Sequence, residues 1–229
     1  MIEFVLLDLD DTILDFSRAE RNALKSSLLS FGLRADDEIL GRYHEINILQ
    51  WQRLERGELT REQVKTERYR LLFEEFNIKS VTADEMTARY EKKLAEGHYF
   101  IDGAEELLER LYKSYRLFLV SNGALAVQKS RLKSAGIEKY FEKIFISQQL
   151  GYNKPDARFF ESAFGGVDGF DREKAVIIGD SLTSDMLGGK NFGIKTLWFN
   201  KNCIDNQSGI EPDFSVKSLS EIGEILKKL

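Results

Sequence analysis

The 229 residues, 42% of them apolar, suffice for a packed core without covalent staples, and the single cysteine, Cys203, excludes an intrachain disulfide and suits a reducing cytoplasm. The formal charge of −5, with Lys and Arg spread along the chain, leaves no electrostatic footprint for a nucleic-acid polymer. No apolar run approaches the roughly 20 residues needed to cross a bilayer, and Met1-Ile2-Glu3 leads straight into an apolar strand without a basic-then-apolar leader. The expectation is a soluble cytoplasmic protein with no membrane partner.

In chain order, Phe4-Val5-Leu6-Leu7 opens a strand over residues 4–8 that runs directly into Asp8-Leu9-Asp10-Asp11-Thr12. Residues 16–97 then carry no convincing strand over most of their length. They read as helices over 18–31, 38–56, 61–76 and 83–96, punctuated by Gly32, Gly57 and residues 77–82, with Thr60 and Gln63 at capping-box spacing. An all-helical insertion at this point is expected to form a lid over the carboxyl ends of the strands, or alternatively to enlarge the core. From there strand and helix alternate: helix 103–112, strand 116–120, helix 125–134, strand 144–147, helix 157–163, strand 175–179, helix 184–192 and strand 195–199. Leu219, Ile222, Ile225 and Leu226 have the spacing of a closing amphipathic helix. Short strands that are apolar throughout suit a parallel sheet covered on both faces, so the fold class is α/β, a doubly wound Rossmann-like core. The expected division is a core of residues 1–15 and 98–229 with a helical cap of 16–97.

Three of these strands stop at polar residues: the first at Asp8, the second at Ser121-Asn122, and Val176-Ile177-Ile178-Gly179 at Asp180. The carboxyl ends of parallel strands are where α/β enzymes keep their chemistry. Taken alone, Asp8-Leu9-Asp10-Asp11-Thr12 also suits the capping of a following helix. Taken in order, Asp8 and Asp10, Ser121, Lys154 before Pro155, and Asp180 with Asp185 resemble the motif set of the haloacid dehalogenase superfamily of phosphotransferases, over essentially the whole chain.

That resemblance implies a C1-type helical cap and a Mg²⁺-dependent phosphomonoester hydrolase. Asp8 is then the nucleophile that forms an aspartyl phosphate, and Asp10 the general acid and base. Ser121 and the backbone amide of Asn122 hold phosphoryl oxygens, and Lys154 neutralises charge on them. Mg²⁺ falls to Asp8, Asp180 and the backbone carbonyl of Asp10, a hard oxygen set without the His or Cys cluster that zinc prefers. Asp185 is expected to order metal-bound waters, pair with Lys154, or complement a helix dipole, and Thr12 to shape the catalytic turn through its hydroxyl. The presence of Asp10 favours phosphoryl transfer over metal-independent dehalogenation.

Substrate choice is expected to lie in the cap. Residues 49–60, Leu49-Gln50-Trp51-Gln52-Arg53-Leu54-Glu55-Arg56-Gly57-Glu58-Leu59-Thr60, together with Thr196-Leu197-Trp198-Phe199-Asn200, look like the YjjG/YfnB subgroup, which implies a pyrimidine 5′-nucleotidase. Trp51 is placed either to stack on a base or to pack within the cap, and Arg53 or Arg56 to contact polar groups of the substrate. The alternatives are a sugar-phosphate phosphatase or phosphomutase on the same scaffold, or a nucleotide-binding protein without turnover. Asp102, standing where many relatives have Pro, is expected to cap the helix that follows. The oligomeric state is open.

Overall fold

The strand β1 (Phe4–Leu7) is fully buried and has parallel neighbours on both sides, which accounts for its unbroken apolar character. Phe4 and Leu6 pack on one face of the sheet with Phe118, Val120 and Phe160, while Val5 and Leu7 pack on the other with Leu107, Leu119 and Ile222. The computed structural model describes residues 1–229. All six strands run parallel in the order β3-β2-β1-β4-β5-β6, with β2 at Arg116–Ser121, β3 at Lys143–Ile146, β4 at Ala175–Gly179, β5 at Lys195–Phe199 and β6 at Phe214–Val216. Strand succession passes to one side of β1 through β2 and β3 and to the other through β4 and β5. The switch point therefore lies between β1 and β4, where the loops diverge and leave a crevice at the carboxyl ends.

The chain divides into two compact units, Met1–Phe16 with His98–Leu229, and Ser17–Gly97. The second is built from α1 (Phe16–Ser30), whose first residue belongs to the other unit, α2 (Asp37–Glu55), α3 (Arg61–Glu75) and α4 (Ala83–Leu94). Capping boxes start α3 at Thr60 with Gln63 and α4 at Thr82 with Glu85. Inside this unit the buried Arg68 lies against the rings of Tyr43, Tyr69 and Tyr90, and its Nη1 donates to Asn47 Oδ1 at 2.9 Å. No helix in the chain is long and apolar enough to cross a membrane.

The remaining helices flank the sheet: α5 (Ala104–Tyr112), α6 (Leu125–Ala135), the single turn α7 (Ser147–Leu150), α8 (Ala157–Phe164), α9 (Leu187–Phe192) and α10 (Ile222–Leu226). A Cβ on Gly189 would lie 2.6 Å from Ile177 Cγ2, and one on Gly188 would lie 3.0 Å from the Phe160 ring. These glycines let α9 approach the sheet.

Three sequence expectations need correction. The short β6, only Phe-Ser-Val, was not expected; Asp213 holds it beside β5 by accepting bonds from the Thr196 amide and hydroxyl at 2.8 and 2.7 Å. The helix expected over 184–192 begins instead as a wide π turn over Leu182–Met186, because the amides of Asp185 and Met186 both donate to the Ser181 carbonyl, at 3.0 and 3.1 Å. Asp102 does not cap α5; Gly103 occupies that position with φ 81° and no side-chain bond.

Candidate active site

The ladder between β1 and β4 continues one residue past β1, where the Asp8 amide donates to Ile178 O at 3.0 Å. This bond fixes the Asp8 backbone at the switch point. Beyond it the chain turns sharply: the amides of Ile13 and Leu14 both reach Leu9 O at 2.9 Å, and Asp11 sits in the left-handed region with φ 57°, its carboxylate taking a bond from Lys201 Nζ at 2.7 Å. Asp11 is thus a turn residue. Asp15 donates its amide to Tyr99 O at 2.7 Å, and the Ile101 amide reaches Ile13 O at 3.0 Å, so the chain's two passages between its units run side by side.

Lys154 is the hub of the site. Its ammonium, 1% exposed, donates to Asp8 Oδ1 at 2.6 Å, Asp185 Oδ1 at 2.6 Å and Val120 O at 2.8 Å, so all three protons are used. Burial opposes its charge, but Asp185 and Asp8 outweigh burial and raise its pKa. The loop carrying it is held from the end of β2: Asn122 Nδ2 donates to Lys154 O at 2.9 Å, and Asn122 Oδ1 accepts from Lys154 N at 2.9 Å. Asn122 therefore acts with its side chain on the lysine loop, a contribution the sequence did not disclose.

Asp185 reaches Lys154 because of the π turn and because Gly179 has no side chain; a Cβ there would collide with the Asp185 carboxylate. Pairing with Lys154 is the arrangement observed among those expected for Asp185. The carboxylates of Asp8, Asp180 and Asp185 bring their oxygens within 4.8 Å of one another. Burial foremost, with Asp185 and Asp10 adding to it against the pull of Lys154, pushes Asp8 up to about 8. Burial and then the charges of Asp8, Asp185 and Asp11 raise Asp180 as well. Three carboxylates facing a single buried lysine are an anionic excess, and an all-oxygen donor set of this kind fits a hard divalent cation. Asp185 belongs to that group by position, in addition to the set expected from sequence.

Asp10 lies apart from the cluster in its bonding. Its Oδ2 accepts from Gln128 Nε2 at 2.7 Å and its Oδ1 pairs with Arg131 Nη1. Ser121 Oγ accepts from the Gly123 amide at 3.1 Å and from the same Gln128 nitrogen at 2.9 Å. Gln128 and Arg131 were missed at the sequence level. A usable signal was present: they stand three apart on the stripe of α6 that also buries Val127 and Leu132, polar residues on an inward face.

One expected placement differs in detail. Thr12 is fully buried but its hydroxyl makes no hydrogen bond, so it does not shape the turn by that means. Within the helical unit, Arg53 and Arg56 both donate to Glu58, at 3.2 and 2.5 Å, and the half-buried Trp51 ring carries the Arg61 guanidinium 5.7 Å from its centroid.

A profile of the haloacid dehalogenase-like hydrolases matches residues 5–199. HAD-hydrolase YfnB of Bacillus subtilis is 35% identical over 97% of this chain and 94% of its own. Its crystal structure bound to magnesium, which reveals interdomain movement, superposes with a TM-score of 0.94 over 98% of both chains. Pyrimidine 5′-nucleotidase PynA of Streptococcus pneumoniae is 35% identical over 99% of this chain and 95% of its own, and pyrimidine 5′-nucleotidase YjjG of Escherichia coli is 27% identical over 99% and 98%.

Proposed function

Because the chain belongs to the haloacid dehalogenase-like hydrolases, we propose that it hydrolyses pyrimidine nucleoside 5′-monophosphates by phosphoryl transfer through Asp8. The observation that carries the reading is the convergence of Asp8, Asp180, Asp185 and Lys154 at the carboxyl ends of the sheet. Lys154 occupies Asp8 Oδ1, which leaves Oδ2 as the attacking oxygen. As the Oδ2–phosphorus bond forms, the bond to the nucleoside oxygen breaks and Asp10 gives that oxygen a proton. A water then attacks phosphorus, Asp10 takes its proton, and the Asp8–phosphorus bond breaks to release phosphate. General acid–base assistance of this kind contributes about 10²- to 10⁴-fold. Ser121 binds a phosphoryl oxygen, and Lys154 balances charge on the group being transferred.

Asp8, Asp180 and the backbone carbonyl of Asp10, with Asp185 beside them, would hold Mg²⁺, which when bound supplies the charge neutralisation that lets a carboxylate approach a phosphate dianion. The raised Asp8 and Asp180 give the sign of the pH dependence. A carboxyl raised in the folded state adds stability that is fully present below its unfolded value of about 3.9 and is lost as pH rises through the folded value. For Asp8 that loss extends up to about pH 8. Mg²⁺ binds the ionised form, so its stabilisation runs opposite to this loss. At a hundredfold excess over Kd it amounts to about 2.7 kcal/mol, or a rise in Tm of about 5 to 10 °C. We expect that rise at pH 8 and less than half of it at pH 5.5 in thermal melts; an equal rise in Asp180→Asn would remove the cation from this site.

Recognition of the nucleoside is assigned to the helical unit, with Trp51, Arg53 and Arg56 as the residues to vary. The direct test measures kcat/KM by phosphate release from pyrimidine and purine monophosphates and sugar phosphates, with Mg²⁺ and with chelator. Metal-dependent preference for pyrimidine monophosphates is expected. Preference for sugar phosphates would keep the chemistry and overturn the substrate, and isomerised product without net release would indicate a mutase.

A further inference from the structure

We propose that Gln128 and Arg131 are positioning residues that aim both the proton-transferring carboxylate of Asp10 and the hydroxyl of Ser121, an inference that rests on the phosphatase reading above. Arg131 is fully buried and Gln128 is 1% exposed, so neither side chain is a solvated bystander. Each oxygen of Asp10 has its own donor, Arg131 Nη1 on Oδ1 and Gln128 Nε2 on Oδ2, which fixes the plane of the carboxylate as well as its place.

The direction of the Gln128 amide follows from Arg131. A guanidinium only donates, and Arg131 Nη1 lies 3.0 Å from Gln128 Oε1, so the carbonyl end of the amide must face the arginine and the NH₂ end must face away. That NH₂ spans Asp10 Oδ2 at 2.7 Å and Ser121 Oγ at 2.9 Å. Ser121 Oγ also accepts from the Gly123 amide at 3.1 Å, which occupies both of its lone pairs. The one hydrogen-bonding capacity left to the hydroxyl is its proton, and no group of the protein accepts it. Ser121 is thereby set as a donor, the polarity that a phosphoryl oxygen requires.

Two further features support a built arrangement. Gly123 is indispensable to it, since a Cβ there would overlap the Gln128 amide. On its other side, the Arg131 guanidinium rests 5.7 Å from the centroid of the Phe16 ring. Arginine, glutamine, aspartate and serine thus form one chain of donors and acceptors from α6 to the ends of β1 and β2. Through it, the group that protonates the leaving oxygen and the group that grips the phosphate share a support.

The test uses the dependence on the leaving group, which a loss of general stability would not alter. An alkoxide leaving from uridine 5′-monophosphate needs the Asp10 proton, whereas 2,4-dinitrophenolate leaves without it. Arg131→Met is expected to lower kcat/KM for uridine 5′-monophosphate by about 10²-fold, the lower end of general-acid assistance, and to leave 2,4-dinitrophenyl phosphate within a few-fold of wild type. In an Asp10→Asn background it should add no further loss, because its effect passes through Asp10. Gln128→Leu should in addition lower kcat/KM for the aryl substrate by about 10-fold, roughly the worth of one hydrogen bond to a charged group. Thermal melting monitors folding. If Arg131→Met does not fold, Arg131→Lys, which restores the charge, and Gln128→Leu carry the same comparison. Equal losses on both substrates, or losses that add to Asp10→Asn, would overturn the inference. Wild-type protein without metal-dependent turnover of either substrate would instead sink the phosphatase reading on which it rests.

Discussion

Asp8→Asn is expected to abolish metal-dependent phosphate release, a loss of about 10⁴-fold or more, as when other enzymes lose their nucleophile. The fold should survive. An amide matches the carboxylate in shape, and its oxygen can still accept the Lys154 proton now given to Asp8 Oδ1 at 2.6 Å. Burial, together with Asp185 and Asp10, pushes the native carboxyl up to about 8, so ionised Asp8 is a burden on the cation-free fold above that pH. Removing that charge should hold or raise Tm at pH 8 in the absence of Mg²⁺. Steady-state turnover and thermal melting on the same preparation check both halves. Retained turnover would refute Asp8 as nucleophile, and a fall of many degrees in Tm would mean that the lost activity reports unfolding.

Lys154→Met should have the opposite character, with a large cost in stability. The substitution preserves the side chain's length but removes the ammonium shared by two buried carboxylates and a backbone carbonyl. Removing one partner of a buried ionic group costs about 3 to 5 kcal/mol, because the remaining charges stay buried and unpaired. In a chain of this size that is a drop in Tm of about 6 to 20 °C at pH 8. Protonation of Asp8, whose carboxyl burial already pushes up to about 8, relieves part of the penalty, so the gap from wild type should narrow by pH 5. Lys154→Arg is not expected to rescue it. A planar fork does not place three donors as the ammonium does on Asp8, Asp185 and Val120 O, and 1% exposure leaves no room for a larger head. Denaturant melts at the two pH values decide the matter, and a gap that stays constant would separate the instability from the unpaired carboxylates.

The two variants read the same cluster from opposite sides. At Asp8 the site carries more negative charge than the fold prefers; at Lys154 it holds the one buried cation that makes the arrangement tolerable. This asymmetry is what a divalent cation would balance, and it is why stability and phosphate release should both respond to metal.

Much of this molecule was legible in its sequence because strand position and chemistry coincide. An unbroken apolar run must be buried on both faces, and the first polar residue after it must emerge at the strand's end. Strand geometry alone therefore locates Asp8, Ser121 and Asp180. The capping box at Thr60 and Gln63 was equally visible, since it is closed within four residues. Local rules determine features of this kind because the partners are near in sequence.

What only the tertiary structure decided depends on partners far apart in the chain. Lys154 finds Asp8 across 146 positions, and Gln128 finds Asp10 across 118, distances over which no periodicity carries information. The π turn that carries Asp185 to Lys154 departs from the helical register by one residue, a choice made by two amides competing for the Ser181 carbonyl. The helical stripe that Gln128 and Arg131 share with Val127 and Leu132 marks them as facing inward, but which buried acceptor compensates their polarity is decided only by the tertiary structure. The sequence thus determined the fold class and the strand-end chemistry by local burial and strand geometry, while long-range hydrogen bonding decided how those groups are aimed.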